Sequence, residues 1–176
     1  MIKFICSNRA NTSGYTLIEL LLYISIIGAL LTSVTMFLGA TVDSRVKNQS
    51  ISEVEQQGML AMELITQTIR NADSITTPAT GASGSTLTLV VPTGALSPTT
   101  FNLSSNTLQI TEGVAAALPI TNSKVQVTSL TFRNLSRAST PGVVQVAMTM
   151  SRVNTLNRNE YDYQKTFTTS AALRWP

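Results

Sequence analysis

The chain has 176 residues, of which 12% are charged, and a formal net charge of +3. Lys3 and Arg9 precede a long apolar run; without them ten basic residues face nine acids, a net charge of +1, which excludes a nucleic-acid-binding surface built on charge. No histidine is present, so imidazole metal ligation and histidine acid–base catalysis are excluded, and the single cysteine, Cys6, can form no internal disulfide.

Residues 1–14 are short, polar and basic, ending in Asn11-Thr12-Ser13-Gly14. From residue 20 to residue 42 no side chain carries charge at neutral pH. As a helix rising about 1.5 Å per residue, that run spans roughly 35 Å, enough to cross a hydrocarbon core of roughly 30 Å. Glu19 stands at its start, where a carboxylate reaching the bilayer centre costs about 2.5–3.5 kcal/mol. It therefore sits at the membrane edge or has a partner.

Three readings compete for this segment. A cleaved secretory signal needs a shorter apolar stretch and a small-residue site after it, and only Gly39-Ala40 offers one. A plain signal anchor accounts for the length but not for a glycine five residues before a glutamate. Cleavage after Gly14 keeps the helix and exposes a new amine on Tyr15.

Gly14-Tyr15-Thr16-Leu17-Ile18-Glu19, with the apolar helix behind it, resembles the processing site of the type IV pilin superfamily. That superfamily includes pilus subunits, type II secretion pseudopilins and competence pseudopilins. The resemblance covers residues 9–45, with Tyr15 where phenylalanine is usual and Arg9 farther from the glycine than is typical. It implies cleavage between Gly14 and Tyr15 by a membrane-bound prepilin peptidase, N-methylation of Tyr15, and Glu19 as an assembly residue. In a filament, Glu19 is then expected to neutralise the Tyr15 amine of a neighbouring subunit. Gly28 falls where pilin helices can loosen on assembly; tolerated glycines in a membrane helix explain Gly28 and Gly39 equally well.

Beyond Val42 the chain turns polar but keeps a helical period. Ile51, Val54, Gly58, Ala61, Ile65, Thr68 or Ile69, and Ala72 draw one stripe at spacings of three and four, which predicts a helix from Tyr15 to Ala72 with its outer half laid on a sheet. Asn71-Ala72-Asp73-Ser74 reads as the stop, and residues 76–85 as a loop.

The remainder alternates. Leu87, Leu89 and Val91 mark one strand, Phe101 and Leu103 a second, and Leu108 and Ile110 a third across a turn at Ser105-Asn106. Val125 and Val127 share one parity while Leu130 and Phe132 have the other, which predicts a β-bulge at Thr128-Ser129. Val144, Val146, Met148 and Met150 form an inward face. Tyr161, Tyr163, Phe167 and Leu173 form another, with Lys165 on the same parity snorkelling at an edge.

The expected fold class is therefore α+β and pilin-like: a long N-terminal helix packed on an antiparallel sheet of about six strands. The expected domains are a leader (1–14), a membrane or filament-core helix (15–42), the amphipathic half of the same helix (43–74) and a β-rich extracytoplasmic domain (75–176).

No nucleophile–base set, phosphate-cradling glycine loop or metal cluster is visible, so no enzyme activity, cofactor or metal is expected. The Glu112-Gly113 loop offers one carboxylate where calcium needs several oxygens in one loop. Asn102-Leu103-Ser104 and Asn134-Leu135-Ser136 match the N-glycosylation pattern, which is common by chance. The resemblance implies as partners a prepilin peptidase, other pilins or pseudopilins, the bacterial inner membrane and an assembly platform, with no nucleic acid. It implies a single pass with the N-terminus cytoplasmic and the C-terminal domain outside. The length and sheet-rich tail are similar to minor pseudopilins of the J type and related minor pilins. A single-span anchored binding domain and a competence pseudopilin for DNA uptake are the alternatives.

Overall fold

The structure, a computed structural model, describes residues 14–138 and 140–174. Lys3, Cys6 and Arg9 of the expected leader lie outside the described residues, as does Trp175. The fold is α+β: one long helix, α1 (Leu17–Arg70, 54 residues), and two antiparallel sheets packed on its C-terminal part. Contacts divide the chain after Val42 into two compact units.

In the first unit α1 is unbroken through Gly28 and Gly39, and its apolar side chains are exposed on every side, Ile24 and Phe37 among them. A predominantly apolar surface of this kind suits a membrane or a bundle of other helices rather than water. Four hydroxyls on it are satisfied within the helix itself. Ser25 donates to the Leu21 carbonyl, Thr32 to Gly28, Thr35 to Leu31 and Thr41 to Phe37. Hydroxyls in hydrocarbon need such partners because no water is there to supply them.

In the second unit α1 buries Ser50, Val54, Gly58, Ala61, Met62, Ile65 and Ile69. The expected stripe holds from Val54 onward, but Ser50 replaces Ile51 at its start, and Met62 joins it. The last turn closes with Asn71 N–H donating to the Gln67 carbonyl, and Asp73 N–H then donates to Val90. The chain thus leaves the helix directly into a sheet.

That sheet contains β1 (Ser74–Thr77), β3 (Leu87–Val90), β4 (Thr99–Ser104), β5 (Thr107–Glu112) and β6 (Leu118–Pro119), in the order β1-β3-β4-β5-β6. The other has β2 (Ser83–Gly84), β7 (Val125–Asn134), β8 (Val143–Arg152) and β9 (Gln164–Ala172), in that order. One sheet of about six strands was expected, and among the described residues nine strands form two sheets. The six anticipated strands are present. The three additional ones are two to four residues long, too short to carry a period, and two of them fall partly or wholly within the expected loop 76–85.

The β4–β5 turn is a two-residue loop with Ser105 at φ 48° and Asn106 at φ 61°, the primed turn that matches strand twist. The Asn106 carbonyl accepts from Val127 N–H at 2.8 Å, so this turn also joins the two sheets. The bulge lies where parity demands it: Val127 pairs with Met150, Ser129 with Thr149, and Thr128 is the extra residue. Val125, Val127, Leu130 and Phe132 all reach the core as a result. Tyr161, expected in the last strand, lies instead in a 3-10 turn at Asn159–Tyr161, before β9 begins.

Asn134 is only 2% exposed. Its amide donates to the Pro78 carbonyl at 2.8 Å, and its oxygen accepts from Ser136 N–H at 3.0 Å. This asparagine staples the β1–β2 connection to the end of β7. It is not presented as a glycan acceptor.

Candidate functional site

Gly14, Tyr15 and Thr16 precede the first helical turn and are exposed. The Gly14–Tyr15 bond therefore lies in non-helical backbone. A peptidase needs such backbone, because a helical peptide bond is wrapped in its own hydrogen bonds. Thr16 caps the helix: its carbonyl accepts from Glu19 and Leu20 N–H at 3.1 and 3.2 Å, and its Oγ1 lies 3.4 Å from Glu19 N. Thr16 and Glu19 thus stand at the N-cap and N3 positions of a Thr-x-x-Glu capping sequence.

Sequence reasoning passed over this cap, treating Glu19 as a charge in an apolar run and as the assembly residue of the motif. The signal was present in the spacing. A carboxylate in the first turn is also favoured by the helix dipole. Glu19 has a further partner within its own chain, since Tyr23 Oη donates to its Oε1 at 3.2 Å. With the helix starting at Leu17 rather than Tyr15, Tyr15 and Glu19 are not one helical turn apart in the uncut chain.

In the second unit, acidic residues of α1 are held by basic residues of the sheet carrying β9. Arg152 Nη1 donates to Glu53 Oε2 at 2.7 Å, with both side chains about one-sixth exposed (15% and 16%). Asn122 Nδ2 donates to the other oxygen at 3.0 Å, and Lys124 Nζ lies 3.7 Å from it. Burial alone would raise the Glu53 carboxyl. The hydrogen bonds from Arg152 and Asn122 and the charges of Lys124 and Arg152 outweigh it and hold the group below its ordinary value of 4.5.

Glu55 accepts from Lys165 Nζ at 2.6 Å and from Tyr163 Oη at 3.2 Å. The Lys165 hydrogen bond, then its charge, lowers the Glu55 carboxyl, and the same bond raises the Lys165 ammonium. Lys165 lies on an edge strand, as expected, with its amine held by the helix. Nearby, Arg152 and Arg158 both approach the Tyr161 ring at 5.7 Å from its centroid, and Arg158 reaches Glu160 at 3.3 Å. The result is a polar seam on each flank of the buried stripe, with Glu53 facing Asn122, Lys124 and Arg152 on one side and Glu55 facing Tyr163 and Lys165 on the other.

A cleft of about 580 Å³ opens at the C-terminal end of α1, lined among others by Leu64, Arg70, Asp73, Leu96, Glu112 and Arg174. Its polar lining comprises the threonines Thr68, Thr93 and Thr99, the amides Gln67 and Asn71, the carboxylates Asp73 and Glu112, and the guanidinium groups of Arg70 and Arg174. Among the described residues no group of three or more His, Cys, Asp or Glu side chains converges to hold a metal.

No family model, curated protein or solved structure matches the chain. Its functional reading therefore rests on the N-terminal segment, the exposed apolar helix and the domain attached to it.

Proposed function

We propose that this chain is a non-enzymatic, membrane-anchored subunit of a type IV pilin-like filament, cut after Gly14 and methylated on Tyr15. One observation carries the reading: a glycine five residues before a glutamate, in accessible backbone, at the head of an apolar helix. A signal anchor needs the helix but neither the glycine nor the glutamate. The helix holds the subunit in the inner membrane as a reserve, and assembly moves it into a filament core among similar helices. The basic leader stays in the cytoplasm, while the β-rich domain lies outside.

Within this class the small, sheet-rich domain suits a minor subunit, of the J type of type II secretion pseudopilins or a related minor pilin. Such a subunit sits at a filament tip and primes assembly through the assembly platform.

Mass spectrometry of the chain recovered from membranes tests this. The expected product begins at Tyr15 and carries one methyl group on its amine. A chain still carrying residues 1–14, or one cut near Gly39-Ala40, overturns the reading in favour of an anchored binding domain or a secreted one.

A further inference from the structure

The cleft at the C-terminal end of α1 draws its charges from different elements according to sign. Its guanidinium groups belong to Arg70, the last residue of α1, and to Arg174, just past β9. Arg174 N–H donates to the Arg70 carbonyl at 3.2 Å, so the two main chains are fixed side by side. Its carboxylates belong to the sheet β1-β3-β4-β5-β6. Asp73 enters that sheet by donating its N–H to the Val90 carbonyl at 2.8 Å, and Glu112 ends β5 opposite Thr99 of β4.

Two cations and two anions thus line one hollow of about 580 Å³, a volume in the usual range of small-ligand sites. Among the described residues no ion pair or hydrogen bond engages any of these four side chains, so the opposite charges do not neutralise one another directly. Where α1 meets a sheet along its length, by contrast, Glu53 and Glu55 are each held by a basic side chain. The helix dipole favours a cation at Arg70, in the last turn, but accounts neither for Arg174 nor for the two carboxylates. Leu64, Val91 and Leu96 give the same cleft an apolar surface.

Charge decides the class of ligand. A simple anion drawn to Arg70 and Arg174 is repelled by Asp73 and Glu112, and a simple cation meets the reverse. A ligand carrying both an ammonium and a carboxylate finds an opposite charge for each. Guanidinium groups pair with carboxylates through two parallel hydrogen bonds, and an ammonium has three donors for the two acids. We propose that this cleft binds a zwitterionic ligand, an α-amino acid or a short peptide with both ends free. Its carboxylate pairs with Arg70 and Arg174, its ammonium pairs with Asp73 and Glu112, and its apolar side chain lies against Leu64, Val91 and Leu96. The site is built wholly from residues 64–174 and rests on neither the membrane nor the filament reading.

The test is affinity selection by the full chain, in nonionic detergent at low ionic strength, from two pools read by mass spectrometry. One pool holds the free amino acids, the other mixed-sequence tripeptides to pentapeptides with free ends. Enrichment from the first identifies an amino acid as the ligand, and enrichment from the second a peptide; enrichment from neither overturns the site. Acetylating the amine or amidating the carboxylate of an enriched ligand is expected to weaken binding by about tenfold or more. These measurements require no change to the protein, and a ligand indifferent to both modifications overturns the proposal. Arg70→Gln combined with Arg174→Gln is expected to remove the effect of amidation and keep that of acetylation. Asp73→Asn combined with Glu112→Gln is expected to do the opposite. Damage to the fold would weaken every form of the ligand alike, so the crossed pattern is specific to contact. Modification effects that are the same in both variants as in the unchanged chain overturn the assignment of the two ends. Displacement of the ligand by equimolar inorganic phosphate overturns the zwitterion in favour of a simple anion.

Discussion

The ring of Phe167 lies against the bare backbone of Gly58, where a Cβ on the helix would fall well inside the ring's van der Waals surface. The contact lets α1 approach β9 more closely than any residue with a side chain allows. Gly58→Ala is expected to lower stability by about 1 kcal/mol, as an overpacking cost of about 1–3 kcal/mol outweighs the gain in helix propensity of about 1 kcal/mol. In a Phe167→Leu background the same change is expected to be neutral or stabilising. Urea midpoints of the four chains in detergent measure the coupling, and equal effects of Gly58→Ala in both backgrounds refute the contact as the cause.

The bulge makes a second prediction. Deleting Thr128 removes the residue that pairs with nothing in the ladder and leaves Val125, Val127, Leu130 and Phe132 on one parity. That deletion is expected to change stability by no more than about 1 kcal/mol, while deleting Thr131 turns Phe132 out of the core and costs more than about 4 kcal/mol. Near-ultraviolet circular dichroism and denaturant midpoints separate the two. Equal damage from both deletions contradicts the assigned register.

Acid should loosen the helix from the sheet. Glu53 and Glu55 titrate below their ordinary 4.5 in the folded chain. Each therefore contributes its stabilisation in full above that value and loses it as pH falls through the lowered folded value, because the unfolded chain takes up the proton first. Stability is expected to be level above pH 4.5 and to decline below it. Glu53→Gln, which keeps shape but removes charge, is expected to cost about 2 kcal/mol at neutral pH and progressively less in acid. A variant deficit that persists unchanged down to complete acid unfolding would count against the ion pair.

Glu19 is where sequence and assembly meet. Glu19→Leu is expected to leave cleavage and membrane insertion intact while impairing incorporation into filaments, because it removes the charge that a neighbour's Tyr15 amine is proposed to meet. Tyr23→Phe removes the intrachain hydrogen bond to Glu19 and is expected to leave incorporation intact. Comparing each variant in membrane and sheared-filament fractions reads this out. Normal incorporation of Glu19→Leu would leave the residue as a helix cap at the membrane edge.

Local features of this fold were legible before the structure, and long-range ones were not. The stripe from Val54 to Ile69, the Ser105-Asn106 turn and the Thr128 bulge each follow from residues within a few positions of one another. Division into two sheets depends on which strands pair across the chain, which period two does not encode. The Glu53–Arg152 pair joins residues 99 apart in sequence, and neither has a neighbour that hints at the other. At the N-terminus the situation is reversed. Gly14, Tyr15 and Glu19 are read almost wholly from pattern, and the fold adds that the Gly14–Tyr15 bond lies in exposed, non-helical backbone and that Thr16 caps the helix.

The inward-turned hydroxyls of Ser25, Thr32, Thr35 and Thr41 have a mechanical consequence. Because those hydroxyls donate to carbonyls of their own helix, their protons are not offered to neighbouring helices. Axial sliding or rotation of one helix past another then breaks dispersion contacts, which re-form at every step, and not hydrogen bonds at fixed stations. In the filament proposed above, the helix surface would act as a greased rod rather than a ratchet, and the proposed pairing of Glu19 with a neighbour's amine would fix where the sliding stops.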